Sequence, residues 1–562
     1  MSRSKLAALV APLTAVALAL SACGSGDSGG GGGVQAGDQA TQGSWDINEM
    51  DVAQLKEGGE LKWPLDSLPD NWNYNQLDGT LQDGDYIISA ILPKLFKADK
   101  AGKVVLNKDY LESAELTSTG PQVVTYKINP KAKWSDGTPF TWEDFDAQFK
   151  ALNGTNTEFS VSGTTGYEDV EKVEKGASDQ EVKVTFKRNF GEWTNLFTPL
   201  YPKSLNATPA EFNTGWQTAP KVTAGPFKIG TIDNTAKLVT VVRDDAWWGD
   251  RAKLDKITYR VVERAALADS LTSGAIDWYT IGSSVDLYQR GKAIQGAVIR
   301  QGPGKAYSHL TFNGAPTSIL SDPKLRIAVM KGLDPATYAK GILGPIVSDP
   351  KPLGNHFFLQ GTGNYADNSA PVKADKEGAK TELDGLGWKL DGEFRKKDGK
   401  QLDIRLVSTA ANPISEQISK LTQAQLKEIG INVVIDAQPS SVFFKDYVNT
   451  GNFDMVGFQW SQTPWPISSS KGIYYLDEKN VNQNYGRIGS EEINKKLDEA
   501  NQELDEAKRV ALTQDADKLI WAEGHHLPLY QTPAARTVRA TLANFGSFGV
   551  ADPDYTKIGF TG

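Results

Sequence analysis

The pattern of apolar and polar positions divides the chain into three stretches. From Leu6 to Leu20 the residues are apolar apart from one threonine, Thr14. Residues 24–43, GSGDSGGGGGVQAGDQATQG, hold almost nothing that could enter a core. From about Gly59 onward, short apolar runs recur with the two periods of packed secondary structure. Gly59–Pro64 reads as a first strand, and Leu81–Phe96 as a helix interrupted by Pro93. Val123–Ile128 alternates, with Val124, Tyr126 and Ile128 on one face, and Val182–Phe186 alternates again. Strands are also predicted at 225–229, 238–243, 257–262 and 431–435.

Local chemistry sharpens this pattern. Asp136-Gly137 is a tight-turn dipeptide. Thr141 followed by Asp144 predicts a capping box that opens a helix bearing Phe145 and Phe149. Asp322-Pro323 and Asp334-Pro335 are cap-plus-first-turn pairs, with Gly332 between them suited to a helix end. Ile414, Ile418, Leu421 and Ile429 share one helical arc, with Gln425 an exception inside it. Ile493, Leu497, Ala500 and Leu504 predict an amphipathic helix, and 506–523 another. Helices followed by strands favour α/β packing, and no repeat of 20–50 residues is seen.

Composition then removes several classes. Apolar residues make up 39% and charged residues 23% of 562, so the chain is globular rather than disordered or collagenous. Its length suggests two to four domains. A net charge of -9 lacks the basic footprint that nucleic acid requires. A single Cys cannot form an internal disulfide, and four His with one Cys make a zinc cluster an unfavoured reading. No catalytic residues, cofactor or metal are expected: there is no H-E-x-x-H, no Walker loop, and no context for a Ser or Cys nucleophile. The glycine linker matches G-x-G-x-x-G and G-x-S-x-G by chance, without the strand and helix those motifs need. His525-His526, adjacent on an extended segment, face opposite ways and have no ligand-spaced companions.

The amino terminus reads as an address. Arg3 and Lys5 precede the apolar run, which is shorter than the about 20 residues of a membrane span. Leu20-Ser21-Ala22-Cys23-Gly24 resembles the bacterial lipobox. The resemblance implies a signal peptide at 1–22, lipidation at Cys23 and a flexible tether to residue 58. A soluble body held by the lipid anchor alone at the extracytoplasmic face of the cell membrane is therefore expected.

Six further stretches carry a family resemblance, in order: TYKINPKAKWSDGTPFTWEDF (125–145), TAGPFKI with RDDAWWG (223–229 and 243–249), SGAIDW (273–278), LTFNGA with DPKLRIAVMKGLDPATY (310–315 and 322–338), LTQAQLKEIGINVVI with GNFDMVGFQW (421–435 and 451–460), and HHLPLY (525–530). Together they resemble the oligopeptide- and dipeptide-binding lipoproteins of ABC importers, most closely those of actinobacteria. The resemblance implies an α/β, two-lobed periplasmic-binding-protein fold of type II, peptide-binding class, with an inserted subdomain and a hinge. Lobe I would comprise 59–97, 199–304 and 527–562, the inserted subdomain 98–198, and lobe II 305–526, with crossings near Lys305 and Leu527. The function implied is capture of a ligand, an oligopeptide foremost, by lobe closure and delivery to an ABC permease, by a monomer and without catalysis. An oligosaccharide or glycolipid head group on the same fold, in envelope assembly, is the alternative.

The ligand residues implied are Gly84 and Asp85 in the loop before the first helix, near Asp83-Gly84-Asp85, then Asn313, and Gln459, Trp460, Ser461, Gln462 and Thr463, with Trp465 and Trp63 as aromatic platforms. Trp134, Trp247 and Trp248 are read as packed turn residues. Two positions depart from the family. Thr463 stands where the best-known peptide binders carry an Asp for the peptide amine, and Gly457 where some carry an Arg for the carboxylate. Either other charges substitute, or the ligand lacks free termini. Asp454 is read as a fold-stabilising residue rather than that substitute.

Overall fold

The computed structural model describes residues 45–478 and 481–562; the expected signal peptide, Cys23 and most of the tether lie outside the described residues. Two large α/β bodies share the rest. The first is built on a four-stranded sheet, in the order 60–65, 256–261, 238–243, 227–233, in which only the outer strand Glu60–Leu65 runs parallel to its neighbour. A second four-stranded sheet, all antiparallel, holds 111–119, 122–128, 181–186 and 170–175. On Gln122–Ile128 the even positions are buried, because the period of two sends them all to one face. That face packs on the helix Trp142–Leu152, whose start is fixed by the expected Thr141–Asp144 capping box. The inserted segment does not build a core of its own. Tyr126, Phe145 and Phe197 join Trp63, Ile87 and Tyr259 in one continuous buried cluster.

The second body is built on a five-stranded sheet in the order 432–438, 403–409, 455–461, 303–312, 526–533. Its core is separate and includes Leu310, Val329, Leu406, Leu426 and Trp521. Asp322 and Asp334 cap their helices through side-chain bonds to the backbone N–H of Lys324 and Ala336. The helix Pro413–Lys427 buries Ile418 and Leu426; the polar intruder Gln425 is also buried, where its amide oxygen accepts from the Asp334 N–H. Asp454 accepts from the Arg405 N–H and so ties neighbouring strands together.

The chain passes between the bodies twice. The strand Ala297–Arg300 belongs to a small three-stranded sheet of the first body, and Pro303–Phe312 to the large sheet of the second. On the return, His526–Pro533 stays paired with Pro303–Thr311, and only Arg536–Arg539 joins the first body, between Trp278–Thr280 and Ala297–Arg300. The second crossing thus comes after Pro533 rather than near Leu527, because main-chain pairing with the first crossing strand extends that far.

Three local expectations need correcting. Asp83, Gly84 and Asp85 are not a loop: they form the first turn of the helix Gln82–Ile91, whose amino end favours the two carboxylates. That helix ends before Pro93, whose ring cannot follow an α-helical residue without a clash. Leu504 lies beyond the helix Glu491–Gln502. Glycine is required where the chain comes closest: a Cβ on Gly225 would lie 2.6 Å from the Ala90 carbonyl oxygen, and Gly137 turns at a φ of +89°.

Candidate functional site

A cavity of about 1160 Å³ lies between the two bodies. That exceeds the usual range for a small-ligand site, roughly 300–1,000 Å³. Its walls differ in kind. The first body contributes Trp63, Asp85, Tyr86, Lys94, Arg536, Asp552 and Tyr555, plus the turn 280–287. The second contributes hydroxyls and amides: Ser308, Ser408, Thr409, Ser415, Gln459 and Ser461. The period of two selects this second set. Ala306, Ser308 and Leu310 of one strand, with Gly457, Gln459 and Ser461 of its neighbour, line the cavity. Gln459 is held in place by bonds from its amide nitrogen to Ser308 Oγ at 3.1 Å and Thr532 Oγ1 at 3.0 Å.

The charges sit on the first body and at the crossing. Lys94 pairs with Asp85 at 3.2 Å and Lys305 with Asp552 at 3.5 Å. Burial alone would lower the Lys94 pKa, but Asp85 and Asp552 outweigh it and hold the ammonium above the ordinary lysine value. Burial would likewise raise Asp552, and Lys305 with Lys94 more than reverse it, keeping the carboxyl below its usual range.

The expected ligand residues separate into two groups. Asp85, Gln459 and Ser461 line the cavity, as does the wall of Trp63, although that side chain is only 1% exposed. The others point elsewhere. Gly84 is buried against Pro69. Asn313 gives its amide N–H groups to the Gly451 and Phe453 carbonyls and accepts from Ala315 N–H, so it braces the backbone. Trp460 lies on the reverse face of its strand, stacked between Tyr485 and His309 at 5.9 Å each. Gln462 is buried, donating to the His356 carbonyl at 2.9 Å. Thr463 Oγ1 accepts from the Trp465 N–H in a short local turn. Trp134 is buried, and Trp248 donates to the Asp109 carbonyl, both as packing residues.

Trp465 marks a seam between the bodies rather than the cavity. Its indole donates to Thr194 Oγ1 at 2.8 Å. Beside it, the buried carboxylate of Glu192 accepts from the backbone N–H of Ile467 and Ser468 and from Ser468 Oγ, at the start of the helix Pro466–Tyr474. Burial raises the Glu192 pKa above the usual carboxylate value, against those three bonds. No sequence signal marked Glu192, nor Lys94, Lys305, Arg536 and Asp552, which are dispersed along the chain and meet only through the topology.

All four histidines of the chain gather behind the second wall. His526 lies 4.8 Å from His309 and 4.7 Å from His356, ring to ring, and 5.3 Å from His525. Asp517 accepts from the backbone and Nδ1 of His356, and Tyr474 bonds His526 Nε2 at 2.9 Å. Burial holds His525 and His526 far below the ordinary histidine value and His309 at about 3. Among the described residues no group of three or more His, Cys, Asp or Glu has the arrangement to hold a metal ion.

Comparison with known proteins gives a consistent picture. The model of the bacterial extracellular solute-binding proteins, family 5 (Middle), matches residues 106–484. The oligopeptide-binding protein OppA of Mycobacterium tuberculosis is 42% identical over 518 residues, 92% of this chain and 87% of that protein. The probable monoacyl phosphatidylinositol tetramannoside-binding protein LpqW of the same species is 24% identical, over 66% of this chain and 63% of its own. Among solved structures, the periplasmic EDTA-binding protein EppA superposes with a TM-score of 0.84 at 25% identity, over 92% of this chain and 98% of that one. The oligopeptide-binding protein AppA of Bacillus subtilis, in complex with a nonapeptide, gives 0.77 at 21% identity, over 90% and 100%, a likeness of fold.

Proposed function

Since the chain belongs to the bacterial extracellular solute-binding proteins, family 5, with that family's two-lobed α/β fold, we propose that it captures an oligopeptide in the inter-lobe cavity and hands it, chemically unchanged, to an ABC importer. The observation that carries this reading is the wall of the second lobe. Among the described residues it offers the cavity hydroxyls, amides and strand backbone, set among apolar side chains such as Leu310, Leu406 and Ile418, and no charge beyond Lys305 at the crossing. Such a wall bonds a peptide main chain while tolerating many side chains. The relatives named for oligopeptides support the same ligand. Cys23 in its lipobox would tether a monomeric body outside the cell membrane. Among the described residues no helix is long and apolar enough to cross a membrane.

Native mass spectrometry of the freshly purified protein tests the ligand. A ladder of retained peptide masses is expected. Retained masses spaced by hexose units would replace the peptide by a sugar ligand, the class named for LpqW.

A further inference from the structure

Each buried cation on the cavity wall should have a counter-charge, since an unpaired charge taken out of water is costly. Lys94 has Asp85, Lys305 has Asp552, and the more exposed Arg264 has Asp66 at 2.5 Å. Arg536 is different. Among the described residues it makes no ion pair with any carboxylate. Yet it lines the cavity, and burial lowers its hold on its proton, with the Tyr86 and Tyr555 hydroxyls the charge-sensitive groups beside it.

The side chain is nevertheless built in. It stands on the central strand of the three-stranded sheet, opposite Thr280. Its guanidinium lies over the rings of Trp278, Phe545 and Phe548, at 4.9, 5.6 and 5.4 Å, and one N–H goes to the Gly546 carbonyl. Those contacts fix the plane of the fork. With a further bond to the Tyr86 hydroxyl, they use two of five donors. A rigid guanidinium fork with spare donors, in a site from which a ligand expels water, matches a carboxylate.

We propose that Arg536 anchors a carboxylate of the ligand. This rests on the peptide reading. It would supply, from the opposite wall, the positive charge missing at Gly457. The wall's own buried carboxylates are occupied by lysines, so the site has a free cation and no equivalent free anion among the described residues. The carboxylate can be the peptide's terminus or an acidic side chain.

The test is calorimetric titration of the mature chain with hexa-alanine, hexa-alanine amide, and the amide with one Glu in place of Ala. Amidation should weaken binding to the wild-type protein roughly tenfold or more. Restoration by Glu would assign the site to acidic side chains, and no restoration to the terminus. Arg536→Gln should bind acid and amide alike, whereas Arg536→Lys should keep part of the preference. Equal binding of acid and amide by wild-type protein overturns the proposal, and that comparison needs no variant to fold. If none of the three peptides binds, the peptide reading fails on its own. A thermal shift with citrate then decides the anion site: stabilisation abolished by Arg536→Gln supports it, and equal stabilisation of both proteins overturns it.

Discussion

The two walls of the cavity solve different problems. The first lobe presents rings and charges, with Trp63, Tyr86 and Tyr555 beside Asp85, Lys94, Arg536 and Asp552. The second presents Ser308, Ser408, Gln459 and Ser461 on a sheet face. On the proposed reading, the charges would distinguish one end of a ligand from the other, and the hydroxyls and amides would bond whatever backbone lies across them. Most of the aromatic side chains of these strands are kept on the reverse of the same sheet. There Tyr307, His309 and Trp460 meet His356, Tyr474 and His526. One strand thus lines the cavity with one face and packs into the interior with the other, and the period of two keeps the faces apart.

The largest expected effect exploits the histidines, which all lie behind the second wall. His309, His525 and His526 are neutral when folded and would be protonated near pH 6.5 when unfolded. Stability they permit above pH 6.5 is therefore lost as the pH falls below it, and the loss levels off only near their low folded values. Each costs about 1.4 kcal/mol per pH unit, so the three together remove about 4 kcal/mol one unit below pH 6.5. Asp517 and Arg326 face the cluster from neighbouring helices. The buried carboxyls with raised values, Glu192 and Asp277 among them, act in the opposite sense, and only near their own range. Denaturant unfolding across pH 5–8 followed by hydrogen exchange should show the second lobe opening first. Uniform loss in both lobes would contradict the asymmetry.

Trp460→Ala comes next. Its ring is packed between Tyr485 and His309, so truncation should remove about 3 kcal/mol of stability. Ligand affinity of the folded protein should barely move. A loss of affinity without a loss of stability would put the ring on the recognition face after all.

That residue also shows what could be read before folding. The capping box at Thr141, the Asp-Pro helix starts and the long helix 506–523 were legible, since each is set by neighbours within a few positions, whereas the segment carrying Trp460 entered through the family resemblance. The faces were harder. Gln459 and Ser461 were expected at the ligand together with Trp460 and Gln462, yet a strand can send only alternate residues to one side. Asn313 was recognised as special, but its partners at Gly451 and Phe453 lie far along the chain. Of the charged corner only Asp85 was expected: its partner Lys94 lies nine positions on, while Asp552 and Arg536 arrive only when the final segment returns to the first lobe.

A smaller effect is expected at the seam. Glu192 from the inserted segment satisfies two backbone N–H groups and a hydroxyl at the start of the helix Pro466–Tyr474. Glu192→Ala leaves those donors unpaired and should cost about 1–2 kcal/mol of the lobe-to-lobe contact. Small-angle scattering of the ligand-free protein should then report a more open average, with ligand affinity several-fold lower. An unchanged scattering profile would mean that the lobes are held together elsewhere.

The smallest effect should come from the second wall itself. Ser461 is exposed to the cavity at the end of its strand, among other hydroxyls that can bond the same ligand backbone. Losing one such bond, with water able to replace it, is worth about 0.5 kcal/mol or less. Ser461→Ala should therefore change affinity less than threefold for any peptide tested by calorimetry, and by the same factor for all of them, since a main-chain contact is indifferent to side chains. A loss that varied strongly with peptide sequence would mean that this wall reads side chains too, and the division of labour between the two lobes would have to be redrawn.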